Sequence, residues 1–219
     1  EEFGDWLRTV RGKTEVIVEE HRPIPLHQHV MVGDELHDLF VDKAKTKVSP
    51  ELQRIARNYR QQSRHGYGRG NRFRSRYTPS RVEVIEELDR AGLLPSITFI
   101  FSRAACDDAV SQSLAGGLSV TTPEEQLLIR GVVDAHFPDA SSEELRVLGF
   151  ASWCEGLEKG IAAHHAGLLP AFKVVVEQLF QEGLVKVVFA TETLALGINM
   201  PARSVVLEKL TKWNGSVHA

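Results

Sequence analysis

Residues 185–202 read VKVVFATETLALGINMPA. Val185, Val187, Val188, Phe189 and Ala190 form a short, β-branched apolar run that stops abruptly at Thr191, Glu192 and Thr193. A run of this length and composition predicts a buried strand. Leu194, Ala195 and Leu196 suit one helical turn, and Gly197 closes it. In open α/β sheets, ligands bind in the crevice outside the carboxyl ends of the strands. Two threonine hydroxyls and the first free N–H groups of a following turn are what an anionic backbone requires there. An ordinary strand–turn–helix with a threonine cap fits the same residues, so spacing alone leaves both readings open.

Alternating elements surround this stretch. Pro170 opens a helix with Phe172, Val175, Val176, Leu179 and Phe180 on one stripe, ended by Gly183. Before it, 161–164 predicts a short strand and 153–160 a short helical turn. Residues 96–101, SITFIF, are a continuous apolar run suited to a central parallel strand, ended by Ser102 and Arg103. Cys106, Ala109, Val110 and Leu114 mark the next helix. Thr122, Pro123, Glu124 and Glu125 make a capping box, and 141–144 make another. Thr78 is the expected cap, with Pro79 in the first turn, of a helix that buries Val82, Ile85 and Leu88. A last strand is expected at 204–207. Strands and helices in alternation argue an α/β fold, a parallel sheet with helices on both faces.

The N-terminal part reads differently. Phe3, Trp6, Leu7 and Val10 have helical spacing, 15–18 and 27–32 suit short strands, Pro23 and Pro25 hold 21–26 extended, and 34–49 is polar loop. The 219 residues have ordinary hydrophobic (42%) and charged (25%) content for a soluble domain, and no run approaches the roughly 20 apolar residues of a membrane span. No membrane partner is therefore expected. The start, Glu1-Glu2-Phe3, has neither a secretory pattern nor an initiator Met, which suggests a segment of a longer chain. Cys106 and Cys154 are far apart and form no CxxC, so a reducing, cytoplasmic setting is expected.

A net charge of −3 hides an asymmetry. Between Arg54 and Arg81 stand nine arginines and no Asp or Glu, so the rest of the chain sets 17 basic against 29 acidic residues, a balance of −12. Residues 61–77, QQSRHGYGRGNRFRSRY, interleave Tyr67, Phe73 and Tyr77 with arginine. That composition predicts disorder in the free protein and contact with nucleic acid through phosphate pairing and stacking.

Three stretches carry a resemblance. FATETLALGINMPA over 189–202 resembles motif V of the superfamily-two helicases, in the DExH branch of superkiller-type RNA helicases and its actinobacterial, HelY-type members. FIFSR over 99–103 resembles motif IV. GIAAHHAGLLP over 160–170 is similar to the family's His-His-small-Gly-Leu-Leu-Pro signature. The resemblance implies a second RecA-like domain over 81–219, incomplete at its C-terminal end. It also implies an interdomain entry segment over 1–50 and a basic flexible insertion over 51–80.

Its site residues follow from the same motifs. Ser102, Arg103, Thr191, Glu192 and Thr193 would meet nucleic-acid backbone. His165 and Gly167 would lie on the nucleic-acid or interdomain face, and Gly197 and Asn199 would face nucleotide. Single-stranded RNA, with DNA as the alternative, and the first RecA-like domain of the same chain are the implied partners. ATP and Mg²⁺ are the implied cofactors, held mainly by that first domain, so no complete catalytic set and no metal site are expected here. Gly12-Lys13-Thr14 mimics the end of a phosphate-binding loop, but Leu7 stands where its first glycine belongs. Asp34-Glu35-Leu36-His37 spells a DExH box too close to it for the intervening strand and helix. His27 and His29 would share a strand face, but without a third or fourth ligand. The rival reading is a non-enzymatic RNA- or DNA-binding module acting through the arginine stretch alone.

Overall fold

The computed structural model describes residues 2–17, 24–65, 77–138, 143–192, 194 and 200–208. The elements are α1 (Glu2–Arg11), β1 (His29–Val32), β2 (Glu35–Asp38), α2 (Pro50–His65), α3 (Arg81–Arg90), β3 (Ser96–Phe99), α4 (Arg103–Ala115), α5 (Pro123–His136), α6 (Glu143–Val147), α7 (Phe150–Glu158), β4 (Ile161–His164), α8 (Pro170–Gln181), β5 (Val187–Ala190) and β6 (Ser204–Leu207). Strands β3 to β6 form a parallel sheet in the order β4-β5-β3-β6. Parallel strands put every carboxyl end on one rim, so the segments that follow β3, β4, β5 and β6 all emerge together.

Strand alternation sorts the side chains onto two faces. Ile97, Ala162, Val188 and Ala190 face α5, α7 and α8, in a core closed by Phe172, Val176 and Leu179. Ile161, Ala163, Val187 and Phe189 face α3 and α4, against Ile85, Cys106 and Ala109. The fold is thus α/β with helices on both faces, as the alternating pattern predicts. On the first face Trp153 stacks on Phe172 at 4.2 Å between ring centroids, and Phe137 sets its edge against Phe150 at 5.2 Å.

Several boundaries differ from expectation, each for a local reason. The cap of α3 is Ser80 and not Thr78: Glu83 N–H donates to Ser80 Oγ (3.2 Å) while Ser80 N–H donates to Glu83 Oε2 (2.6 Å). This reciprocal pair satisfies two N–H groups at once, which Thr78 could not do. At Thr122 the expected box forms in the same way with Glu125. Strand β5 begins at Val187 because Val185 N–H turns back to Leu179 O. Of the strand expected at 15–18, residues 15–17 form none and 18 lies outside the described residues, and the expected polar loop over 34–49 contains β2, paired antiparallel with β1. The two serines of the second proposed capping box (141–144) lie outside the described residues, while its Glu143 opens α6.

The largest difference lies in the basic segment. Where flexible chain is expected, α2 is a helix of 16 residues; 66–76 lie outside the described residues. Leu52 is buried and Ile55 and Tyr59 are half-buried, so an apolar stripe at helical spacing holds α2 down despite its charge.

Candidate nucleic-acid interface

Three strand ends build the candidate site. After β3, Ile100 N–H continues the ladder to Ala190 O (2.8 Å). Ser102 then caps α4, its Oγ accepting from Ala105 N–H at 3.4 Å. Ser102 and Arg103 are exposed at the N-terminus of this helix, where free N–H groups and the helix dipole favour an anion.

After β4 the chain turns through His165, Ala166 and Gly167. Side chains of adjacent strand residues point to opposite faces, and the two histidines obey that rule. His164 Nε2 lies 2.8 Å from Glu177 Oε1 on α8, while His165 Nε2 lies 3.0 Å from Asp107 Oδ1 on α4. Both rings are about 5% exposed. Gly167 N–H donates to His165 Nδ1 (3.1 Å), so that nitrogen is bare and the ring proton sits on Nε2, donated to Asp107. Leu168 N–H closes the turn onto His165 O at 3.1 Å. A Cβ on Gly167 would come within 3.2 Å of His165 Nδ1 and 3.6 Å of Arg103 Cδ, so a larger residue would push the imidazole by a few tenths of an ångström, and the turn lies side by side with Arg103. His164 Nδ1 is buried with no hydrogen-bond partner.

After β5, Thr191 stands at the rim as expected, its N–H donating to His164 O at 3.3 Å, yet it is only 7% exposed. Glu192 is half-buried. Thr193, Gly197 and Asn199 lie outside the described residues. The structure therefore brings Ser102, Arg103, Gly167 and Thr191 to one rim. It places His165 beneath that rim, where it shapes the turn and presents no ligand surface of its own.

Sequence reasoning missed Asp107 and Glu177. The available signal was Asp107 one turn beyond Arg103 on the same helix face, and a lone acid flanking the apolar stripe of α8. Burial, with the Asp107 charge adding to it, pushes the Cys106 thiol up to about 12, so no thiolate forms at this rim. Gly12-Lys13-Thr14 follows a helix end, with Gly12 N–H on Arg8 O, and does not lie between strand and helix. Asp34 and Glu35 belong to the β1–β2 hairpin, away from any central parallel strand. Both mimics are thus out of context.

A parallel sheet with this capped helix start, arginine and imidazole-backed turn on its carboxyl rim defines a RecA-like α/β domain. No protein-family model matches the chain. It is 52% identical over 231 residues to "Probable helicase HelY" of Mycobacterium tuberculosis H37Rv, covering all of this chain and 25% of that protein. It is 33% identical to the Arabidopsis thaliana "DExH-box ATP-dependent RNA helicase DExH15 chloroplastic" (99% and 21% covered) and 31% identical to human "Superkiller complex protein 2" (98% and 18%). The chain belongs to the superkiller-type DExH branch of the superfamily-two helicases. It spans about a quarter of the length of the HelY relatives it matches. No described helix is long and apolar enough to cross a membrane.

Proposed function

We propose that this chain is the second RecA-like domain of an ATP-dependent RNA helicase. Its carboxyl rim holds the ribose–phosphate backbone of single-stranded RNA and forms one side of an ATP site shared with a first RecA-like domain of the same protein. The observation that carries the reading is the convergence of Ser102, Arg103 and Gly167 from two strand ends, with the Asp107–His165–Gly167 chain fixing the turn. Backbone N–H groups at the start of α4, the Ser102 hydroxyl and the Arg103 guanidinium are the donors a phosphate needs. Thr191 lies under the same rim, and we assign it to the backbone contact through its neighbours, together with Glu192 and Thr193.

ATP bound between two such domains supplies phosphoryl-transfer energy for movement along the strand. Gly197 and Asn199 are our nucleotide-facing positions. Mg²⁺ needs converging hard oxygen donors, and the carboxylates nearest the His-His turn, Asp107 and Glu177, are each engaged by an imidazole. We accordingly assign the metal to the first domain. A reduced, cytoplasmic setting suits the two free thiols.

The test is fluorescence anisotropy with labelled single-stranded RNA across a salt series. Arg103→Gln should weaken binding and lower the magnitude of the log–log salt slope by about 0.7, one phosphate on a single strand. An unchanged slope and affinity would sink the assignment of the rim. The chain alone is expected to show no Mg²⁺-dependent ATP hydrolysis, and a measurable rate would overturn the two-domain reading.

A further inference from the structure

The arginines of α2 remain unused by the rim. This helix is anchored on one side and bare on the other. Leu52, Ile55 and Tyr59 face the body, and Tyr59 meets the edge of Tyr77 at 5.6 Å. Tyr77 O accepts from Gly33 N–H (3.3 Å), and four residues later Arg81 forks onto Glu208, with Nε–Oε1 at 2.5 Å and Nη2–Oε2 at 3.0 Å. Glu208 directly follows β6, so Tyr77, and Tyr59 of α2 against it, is tied within four residues to the carboxyl end of β6. The strand ends run in the order β4, β5, β3 and β6, and the Tyr59–Tyr77 and Arg81–Glu208 links tie α2 to the β6 end of that row. Adjacent strands stand about 4.8 Å apart, so the four ends cover only about 14 Å.

At about 100° per residue, Arg54 and Arg57 lie opposite the apolar stripe and point outward. Arg54 is 71% exposed, and its nearest carboxylate, Glu51, is 3.8 Å away. Arg57 donates Nε to Gln53 O (3.3 Å), which leaves its Nη groups unengaged by any described residue. Glu51, which also lies 3.5 Å from His37 Nδ1, is the one acidic residue of α2, and none follows it before Arg81. On a helix, residues three apart are about 5–6 Å apart, a spacing that lets two guanidiniums take neighbouring phosphates of one extended strand.

The geometry points to α2 as a second phosphate-binding face, which takes over the ribose–phosphate backbone of a single strand where that strand leaves the rim at β6. This rests on the rim reading for the first part of the path. The rim sets where the strand enters; α2 lengthens the footprint and raises its salt dependence.

The experiment compares two labelled oligouridylates, of about six and about twenty nucleotides, a range that brackets typical single-strand site sizes. The unmodified chain, Arg54→Gln/Arg57→Gln and Arg103→Gln are titrated with each across a salt series. Thermal melts check that the exposed substitutions leave the fold intact. The expected result is that the double variant binds the short probe like the unmodified chain. On the long probe its salt slope should fall by about 1.4, two phosphates at about 0.7 each. Arg103→Gln should weaken both probes. A double variant that binds the long probe normally overturns the second face. One that loses both probes equally also overturns it, because α2 is then the primary site. If instead only Arg103→Gln is without effect, the rim reading fails while the arginine face stands.

Discussion

Gly160→Ala tests how the turn before β4 is built. Gly160 has φ +76, and a Cβ there would lie 2.8 Å from both Thr121 Cγ2 and Val120 Cγ2. Two costs are separable. Left-handed backbone costs an L-residue about 1–2 kcal/mol. Carbon contacts well inside the usual 3.5–4.0 Å add an overpacking cost of about 1–3 kcal/mol. The sum, about 2–5 kcal/mol, is a large share of the 5–15 kcal/mol typical of a domain. Gly149→Ala supplies the reference: it has φ +73 but nothing within 4 Å of its Cβ position, so only the backbone cost of about 1–2 kcal/mol applies. Neither backing residue can withdraw easily. Val120 N–H is bonded to Lys159 O (3.1 Å), and Thr121 Oγ1 donates to Glu158 O (2.5 Å). Gly160 O also accepts from both Lys186 N–H (2.9 Å) and Val187 N–H (3.0 Å), so a shift of this residue disturbs the start of β5. Urea melts of both variants at equal m-value measure the difference. Equal losses for the two alanines would refute the steric argument.

The imidazole relay predicts a graded response at Asp107. Asp107→Ala leaves the buried His165 Nε2–H without an acceptor and should cost about 1–3 kcal/mol and weaken RNA binding, whereas Asp107→Asn keeps an acceptor oxygen and should restore most of both. Identical losses in melts and anisotropy for the two variants would discard the relay. At Glu125, burial opposes ionisation, but donation from Lys186 Nζ (2.8 Å) and Thr122 N–H holds the carboxyl below the usual range. Its folded value being the lower one, its contribution is complete above the unfolded value and fades as pH falls through the folded one. Glu125→Gln should therefore lose about 1 kcal/mol near neutrality and converge on the unmodified chain in acid, read as Tm against pH. A gap that persists in acid would contradict the sign. Burial pushes the thiols of Cys106 and Cys154 up to about 12 and about 11, so both should resist iodoacetamide at neutral pH and react in urea. Rapid labelling of the folded chain would contradict this.

Legibility followed the range of the forces involved. The five apolar positions of α8 and the strand 161–164 appear where periodicity puts them, because burial on one face is written directly into spacing. The cap of α3 was ambiguous because Thr78 and Ser80 can both accept, and only the reach of Glu83 back to Ser80 decides between them. Charge masks α2: its four arginines surround three apolar residues that suffice to dock its first turns. At the rim, the strand-end residues were readable as motif matches. Their carboxylate partners were not, since Asp107 is 58 residues from His165 and Glu177 is 13 from His164, and only the sheet brings them together. The burial of Thr191 and His165 is likewise a tertiary outcome that no local pattern encodes.

The tip of β4 is pinned from both sides. One imidazole reaches α4 on one layer and its neighbour reaches α8 on the other, so a single dipeptide spans the whole sandwich. Sliding of either helical layer must first stretch one of these short links, and the glycine turn riding on them moves with it. The dipeptide thus ties the tip of β4 to both helical layers at once.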